Sequence, residues 1–227
     1  MGLTDPLTDA PTIEAHELYR FFHAGDDETF ALRGVSMTAR PGEILAIVGP
    51  SGSGKSTLLS CLAGLDEPDG GHVVVAGQRL TRRPEPVRAA LRARWIGVLA
   101  QSGNLLEHLS VAGNVRAAQA IAGAGSKSRP EELLAAVGLE DRALARPTSL
   151  SGGEAARAGL AVALANDPPV LLADEPTGEV DRANEEILLD LLRHRADTGR
   201  TVVVVTHSDR VADAADRVIV LTDGRVA

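Results

Sequence analysis

Residues 49–57, with the sequence GPSGSGKST, constrain the fold of this chain more than any other stretch. They match the pattern G-x-x-x-x-G-K-[ST], in which a glycine-rich loop holds the phosphates of a nucleotide. An apolar run at residues 44–48 precedes the loop, and a helix-like segment at residues 56–63 follows it. Because this motif requires a strand before the loop and a helix after it, the sequence predicts an α/β domain built around a phosphate site.

The residue types of the loop suit a polyphosphate. Its glycines let the backbone curl so that successive N–H groups point into one concave nest, and the helix that opens near Lys55 adds its positive dipole end. Lys55 is expected to reach the β- and γ-phosphates, and the Ser56 hydroxyl to ligate a magnesium ion. The predicted phosphate site comprises Gly49, Pro50, Ser51, Gly52, Ser53, Gly54, Lys55, Ser56 and Thr57.

The composition bounds the possible partners and compartments. The formal net charge is −8, from 23 Lys+Arg against 31 Asp+Glu, which argues against broad nucleic-acid binding. The single cysteine, Cys61, excludes an internal disulfide and is expected in the core. No apolar stretch approaches the roughly 18 residues that span a bilayer, so a cytoplasmic location is expected. Residues 1–11, rich in Pro, Asp and Thr, are predicted to form a flexible tail.

Two β segments, at residues 13–22 and 30–39, precede the loop and are joined by an acidic turn at residues 25–28. Phe22 is the candidate for stacking on a purine base, although a hydrophobic strand face explains any single ring in this region equally well. A strand at residues 72–76 and a buried strand at residues 95–100, with Trp95 in the core, are predicted further on.

Residues 102–150 lack strand signals and are predicted to form an inserted helical subdomain. Ser110 is placed to cap a helix at residues 111–121, and Pro130 opens another that Gly138 closes. The preceding basic run is predicted to be a solvated helix face rather than a nucleic-acid site; it comprises Arg82, Arg83, Arg88, Arg92 and Arg94.

Ser151 and Glu154 form a capping-box pattern at the start of a helix predicted to run to Asn166. A capping box alone is ordinary. Here Gly152 and Gly153 follow the cap, and two glycines are expected to leave the helix end bare, as a second anion-binding surface requires.

Polar residues stand at the ends of two later strands. Asp174 and Glu175 follow the apolar run at residues 170–173, a place where one carboxylate can hold magnesium and the other polarise water. Surface acids are the alternative, but they seldom follow an apolar run directly. His207 follows a strand at residues 201–206, where it either has a structural role or faces the γ-phosphate. Between them, Asp181 is predicted to begin a helix with Ile187, Leu188, Leu191 and Leu192 on its buried face.

Together these segments resemble the ATP-binding subunit of an ABC transporter over about residues 13–226. The resemblance identifies the phosphate loop as the Walker A motif, Gln101 as the Q-loop glutamine, LSGGE at residues 150–154 as the signature, VLLADE at residues 170–175 as Walker B, and His207 as the switch histidine. Residues 179–181 match the D-loop, and DEPTGEVD resembles the lipoprotein-release, macrolide-export and cell-division group.

This resemblance implies a P-loop NTPase with a RecA-like core, an antiparallel β subdomain and an inserted α-helical subdomain. The core and β subdomain are expected at about residues 12–101 and 155–227, and the helical subdomain at about 102–154. The family's mechanism assigns the attacking water to Glu175, a γ-phosphate contact to His207, the adenine to Phe22, and magnesium to Ser56, Gln101 and Asp174.

The resemblance also implies partners. Two protomers are expected to sandwich two ATP molecules, each between one Walker A loop and the signature of the other protomer, which here comprises Ser151, Gly152, Gly153 and Glu154. A separate membrane permease is expected to hold the chain at the inner face of the cell membrane, with no nucleic-acid partner. A cell-division-type or iron–sulfur-assembly-type ATPase that does not transport is the alternative.

Three positions depart from the family pattern. Gly113 replaces a usual Glu, Val162 a usual Arg, and Val180 a usual Leu of the D-loop. None is expected to touch the nucleotide, but they bear on the permease-docking surface and on the dimer contacts.

Overall fold

The computed structural model of the chain describes residues 12–24, 27–101, 105–122, 129–178 and 180–227. The predicted tail at residues 1–11, the turn residues 25–26 and Glu179 of the D-loop lie outside the described residues. Within the described part, no helix is long and apolar enough to cross a bilayer.

A six-stranded sheet, in the order β10-β9-β3-β8-β7-β6, forms the centre of the molecule. All neighbouring pairs from β9 to β6 are parallel, and only the short β10 runs antiparallel to its neighbour. A parallel sheet is buried on both faces, which explains the nearly continuous apolar sequences of the inner strands. The strands are β3 (Ile44–Val48), β6 (Ile96–Leu99), β7 (Val170–Asp174), β8 (Thr201–Val205), β9 (Arg217–Thr222) and β10 (Arg225–Val226).

A second, four-stranded sheet is antiparallel throughout, in the order β2-β1-β4-β5. Its long hairpin is irregular, with register shifts between β1 and β2 after Ala15, Leu18 and Arg20. Such bulges turn side chains to new faces of a strand. The strands are β1 (Ile13–Ala24), β2 (Asp27–Ala39), β4 (Gly70–Val75) and β5 (Gln78–Arg79).

Seven α-helices occur in the described residues, and residues 105–122 and 129–150 contain no strand. Ser110 accepts a hydrogen bond from the backbone N–H of Gly113 at 3.1 Å, which confirms its predicted place at the start of α3. The helices are α1 (Lys55–Leu62), α2 (Glu85–Trp95), α3 (Val111–Ala122), α4 (Pro130–Ala136), α5 (Gly152–Ala163), α6 (Arg182–Asp197) and α7 (Asp209–Asp213), with 3-10 turns at Glu140–Arg142 and Pro147–Ser149.

Alternate residues of the parallel strands enter two hydrophobic cores. Val203 and Val205 of β8 pack with α1 and the antiparallel sheet, whereas Val202 and Val204 pack with the helices on the opposite face. Cys61 lies in the first core, and burial raises the pKa of its thiol to about 12, as expected for an inert core cysteine. The two cores fix the parallel sheet between a β layer and a helical layer, so the predicted fold class is confirmed.

Several local predictions were wrong. Trp95 ends helix α2 instead of starting β6, and it packs only half-buried against the first core. Ile187 is 43% exposed, because the buried positions of α6 are Leu188, Leu192 and Ala196, which repeat every four residues and turn the preceding position outward. Helix α5 ends at Ala163, three residues early.

The predicted solvated face of α2 is only partly right. No residue of α2 is buried, but Arg88 pairs with Glu67 at 2.6 Å and with Glu85 at 2.7 Å. Arg92 also pairs with Glu85, at 3.1 Å. These arginines serve local ion pairs, which agrees with the choice of a structural role over a nucleic-acid site.

Candidate nucleotide-binding site

The phosphate loop lies between β3 and α1 and needs glycine for steric reasons at both ends. A Cβ atom on Gly49 would come within 2.0 Å of the Leu221 carbonyl oxygen, and one on Gly54 within 2.2 Å of the Ala31 carbonyl oxygen. The turn between β9 and β10 also contacts the loop, since the Gly224 N–H donates to the Ser53 carbonyl at 3.0 Å. The loop is thus held between both sheets.

Lys55 begins α1 and points back over the loop. Its Nζ donates to the carbonyl oxygens of Gly49 at 2.8 Å and Pro50 at 3.0 Å, and the residue is 6% exposed. Gly54 provides no side-chain cap, and the first turn of α1 contains no acidic residue. The backbone N–H groups, the helix dipole and the lysine therefore make this end of α1 suited to an anion.

Strands β3, β8 and β7 are successive parallel neighbours, so the carboxyl end of β7, with Asp174 opposite Val205, lies at the same end of the sheet as the phosphate loop. Glu175 leaves the strand with φ at +47°, in the left-handed region, while its N–H still donates to the Val205 carbonyl at 2.9 Å. For a residue with a Cβ this conformation is strained, and such strain persists where the surroundings impose it. It turns the Glu175 side chain away from the strand direction and toward the end of β8.

His207 meets Glu175 at the end of β8. The Glu175 Oε2 accepts the backbone N–H of His207 at 3.1 Å, and Oε1 lies 3.3 Å from the His207 Nε2. The second approach is within ion-pair distance but is not aligned as a hydrogen bond, so Oε1 is buried without a partner among the described residues. One carboxylate oxygen is thus fixed, and the other remains available as an acceptor.

Two further oxygens near the loop are buried without hydrogen-bond partners in the described structure, the Asp174 Oδ1 and the Ser53 Oγ. A carboxylate oxygen that is removed from water and left unpaired is costly unless a cation or donor satisfies it. Carboxylate and hydroxyl oxygens are the ligands that Mg²⁺ takes beside phosphates. The donor set of Asp174 with the Ser56 hydroxyl therefore fits a magnesium ion.

A cavity of about 640 Å³ brings most of the predicted residues together. The aromatic ring that was predicted to stack on a base, the loop and the polar residues of three strand ends all face it. The predicted residues that line it are Phe22, Ser51, Gly52, Gly54, Lys55, Ser56, Thr57, Gln101, Glu175 and His207. Gly49, Pro50, Ser53 and Asp174 are not among the residues that line it.

Sequence reasoning missed three lining residues, Thr29, Ala31 and Gly178. Thr29 stands directly opposite Phe22 in the β1–β2 hairpin. The alternation of β2 alone offers a signal for Thr29 and Ala31, but the bulges of β1 hide which face meets the loop. Gly178 follows the acidic pair within the same turn, and nothing in its residue type marks it.

The signature residues lie outside that cavity. The capping box is confirmed, because the Ser151 Oγ accepts the Glu154 N–H at 3.2 Å and the Glu154 Oε2 accepts the Ser151 N–H at 2.8 Å. The Ser151 N–H, and next the Arg142 side chain, hold the pKa of Glu154 below its usual value. Gly152 instead lines a neighbouring cavity of about 320 Å³, which shares Gln101 and Glu175 with the first.

The expectation that both glycines leave the helix end bare was wrong for Gly153. Gly153 is buried, and a Cβ there would come within 2.2 Å of the Asn184 side chain. The Asn184 amide is held by Asp181, its Nδ2 donating to the Asp181 Oδ1 at 3.0 Å, and it accepts a hydrogen bond from Arg157. Gly153 therefore permits close packing of α5 on α6, and Gly152 is the exposed glycine.

The three departures from the family pattern have different surroundings. Gly113 lies in the first turn of α3 beside Ser110, and Val162 packs half-buried against the second core. Val180 lines the 320 Å³ cavity. None of the three lines the 640 Å³ cavity, as expected from the sequence.

A parallel α/β sheet with a glycine-rich loop, a lysine at a helix N-terminus and an acidic pair at the end of another parallel strand defines a P-loop nucleotide-binding domain. The sequence profile of the ABC transporter family matches residues 32–178 of the chain. The chain belongs to this family, as one of its ATP-binding, ATP-hydrolysing domains.

Individual relatives agree with this assignment. The chain is 42% identical over 219 residues to a macrolide export ATP-binding/permease protein of Hyphomonas neptunium, covering 95% of this chain and 34% of that protein. It therefore spans about a third of that relative's length. It is also 42% identical over 217 residues to an ABC transporter ATP-binding protein of Thermotoga maritima, covering 94% and 93% of the two chains.

Solved structures match the whole fold. A dimeric post-hydrolysis state of the ATP-binding cassette MJ0796, bound to ADP and Pi, superposes with a TM-score of 0.88 at 35% identity. The match covers 94% of this chain and 96% of that one. The predicted family and fold are confirmed.

Proposed function

We propose that this chain is the ATP-driven motor of an ABC exporter of the macrolide-efflux and lipoprotein-release type, acting on an integral membrane permease. The observation that carries the proposal is the 640 Å³ cavity, where the phosphate loop, Gln101, Glu175 and His207 converge. The similarity to macrolide export proteins, whose names combine ATP-binding and permease parts, supports the type of transporter. The permease would hold the chain at the inner face of the membrane.

The proposed roles of the residues combine the family resemblance with the lining of the cavity. Phe22 stacks on the adenine, the loop N–H groups and Lys55 bind the phosphates, and His207 contacts the γ-phosphate. Glu175 Oε1, which is buried without a hydrogen-bond partner among the described residues, accepts a proton from the attacking water while Oε2 stays bonded to the backbone of His207. Magnesium, held by Asp174, Ser56 and Gln101, would neutralise charge on the phosphates.

The site is completed by a second copy of the chain. Ser151, Gly152, Gly153 and Glu154 do not line the cavity that contains the phosphate loop of their own chain. Placing the signature of one protomer over the loop of the other supplies the helix N-terminus of α5 to the γ-phosphate. The similar cassette MJ0796 has been solved as a dimer, which supports this arrangement.

Co-purification tests the transport role. The tagged chain is expressed in its own organism and extracted from the membranes in mild detergent, and the ATPase rate of any complex recovered is compared with that of the chain alone. Recovery of an integral membrane subunit that changes the ATPase rate is expected. Recovery of a water-soluble partner only would contradict the transport role while leaving the ATPase assignment intact.

A further inference from the structure

The ring of Phe22 has a cation on one face. The Arg20 guanidinium carbon lies 4.6 Å from the centre of the Phe22 ring. Phe22 is 42% exposed and lines the nucleotide cavity, whereas Arg20 is not among the residues lining it. The guanidinium therefore covers the ring face turned away from the cavity and leaves the other face open to a planar ligand.

Arg20 is itself held rigidly by two carboxylates. Its Nε and Nη2 donate to the two oxygens of Asp66 at 2.8 and 2.9 Å, and its Nη1 donates to the Asp69 Oδ2 at 3.1 Å. Such a two-pronged pair fixes the plane of a guanidinium in a way that a single contact does not. The hydrogen bonding of Arg20 to Asp66 is the largest of the effects that raise the pKa of Arg20.

The same carboxylates tie the strand to the turn after helix α1. The Asp69 Oδ2 accepts the backbone N–H of Phe21 at 2.8 Å, and the Asp69 N–H donates to the Tyr19 carbonyl at 2.9 Å. Burial raises the pKa of Asp69, but the hydrogen bonds from Phe21 and Arg20 outweigh it and lower the pKa overall. The strand that carries Phe22 is thus hydrogen-bonded to the turn after α1, the helix that begins in the phosphate loop.

A second arginine–aromatic pair in the same hairpin has no carboxylate holding its arginine in the described part of the chain. Arg33 lies 5.2 Å from the centre of the Phe30 ring, and both line a different cavity together with Tyr19. Phe30 does not face the nucleotide cavity. This pair therefore provides a matched control within the same two strands.

We infer that Arg20, anchored by Asp66 and Asp69, is a positioning residue that fixes the Phe22 ring for the purine base of ATP. The inference rests on the proposed stacking of adenine on Phe22. A ring that is already ordered loses less conformational entropy when the base binds, and a cation on its far face adds to its attraction for the electron-rich purine. This arrangement of Arg20, Asp66 and Asp69, which is called the clamp below, therefore strengthens binding of the base and not of the phosphates.

The contributions of the base and of the phosphates to binding can be separated with two ligands. One is ATP, and the other is inorganic tripolyphosphate, which has the phosphate chain without the base. Dissociation constants are measured by titration calorimetry in EDTA, which prevents hydrolysis. Arg20→Met is expected to weaken ATP binding about two- to tenfold and leave tripolyphosphate binding unchanged. Asp66→Asn should also weaken ATP binding. Arg33→Met should leave the affinity for both ligands unchanged.

Phe22→Ala provides the link to the proposed function. It is expected to weaken ATP binding about tenfold, the usual worth of a stacked ring. Adding Arg20→Met to Phe22→Ala should weaken ATP binding no further, since Arg20 acts through the ring. Unchanged ATP affinity in Phe22→Ala would overturn the adenine site, and the clamp with it.

Weaker binding in Phe22→Ala with no effect of Arg20→Met would overturn the clamp alone. Equal weakening of ATP and tripolyphosphate by Arg20→Met would also overturn it, because that pattern indicates general damage to the site. The tripolyphosphate affinity thereby serves as the internal control for folding.

Discussion

Glu175 combines a strained backbone with a carboxylate whose two oxygens have different surroundings. Its φ is +47° while its N–H donates to the Val205 carbonyl, and its Oε2 accepts the backbone N–H of His207. Oε1 is buried without a hydrogen-bond partner among the described residues, and the His207 Nε2 lies 3.3 Å from it. In the proposed mechanism this asymmetry orients Glu175 before a nucleotide arrives, as general-base catalysis by a side chain requires.

Glu175→Gln tests this role because the amide keeps the shape and the acceptor oxygen but cannot take the proton. We expect ATP to bind unchanged while hydrolysis slows by about 10²- to 10⁴-fold. Phosphate release under saturating ATP measures the rate, and equilibrium binding measures the affinity. Glu186→Gln, an exposed change on α6, is the matched control. An unaltered rate in Glu175→Gln would remove Glu175 from the chemistry.

Gly153 can be tested as a packing residue. In Gly153→Ala the new methyl group meets the Asn184 side chain within 2.2 Å, so we expect the free energy of unfolding to fall by about 1–3 kcal/mol. In the double variant Gly153→Ala/Asn184→Ala the Asn184 side chain is shortened to a methyl group, which makes room for the new methyl group, so part of the lost stability should be recovered. Gly152→Ala, at the exposed neighbouring position, should stay within about 1 kcal/mol of the parent. Chemical denaturation gives all four values, and equal effects at both glycines would contradict the packing role.

At the scale of elements, the residues of the candidate site lie at the ends of strands. The sequence predicted the site residues best at these positions. Buried parallel strands require apolar runs, so a polar residue such as Glu175 or His207 directly after a run marks the sheet edge where ligands bind. Both residues were predicted from this pattern and lie together. Thr29 and Ala31 could not be predicted, because their facing depends on the bulged register of β1 and β2, which is set by tertiary packing.

Asp216 joins three elements at the opposite end of the parallel sheet. It precedes β9, accepts the Ile44 N–H of β3 at 2.7 Å, and binds the Arg193 guanidinium of α6 at 3.0 Å. Burial raises its pKa, but the bonds from Ile44 and Arg193 outweigh this and lower it overall. The folded state therefore favours the ionised carboxylate.

The pH dependence of stability follows from that sign. A depressed folded pKa contributes stability that is complete above the unfolded pKa of about 3.9 and is lost as the pH falls through the folded value. Asp216→Asn should lower the free energy of unfolding at pH 7, and the difference from the parent should shrink below about pH 4. Denaturant titrations between pH 7 and pH 3 measure it, with Asp190→Asn on the surface of α6 as control. A difference independent of pH would exclude the carboxylate's charge as the cause.

At the scale of the whole molecule, the phosphate loop and the signature helix occupy different places in one chain. The 640 Å³ cavity contains the phosphate loop, Glu175 and His207, while Ser151 and Gly152 at the exposed tip of α5 lie outside it and Gly152 lines the neighbouring 320 Å³ cavity. A single copy therefore holds the loop half and the signature half of the proposed site in two different cavities. If each half joins its counterpart on a second copy, one symmetric contact completes two sites.

Mixing two inactive variants tests this sharing of sites. Lys55→Ala disables the loop and Gly152→Asp places a negative charge at the tip of α5, so each homodimer lacks both sites and should hydrolyse ATP slowly. In a mixed dimer both defects fall on one site, and the other site pairs an intact loop with an intact signature. We therefore expect ATPase activity in the mixture that neither variant shows alone, rising with protein concentration as mixed dimers form. Activity that stays at the level of the separate variants, in a sample where dimers are seen by light scattering, would show that each site lies within one chain.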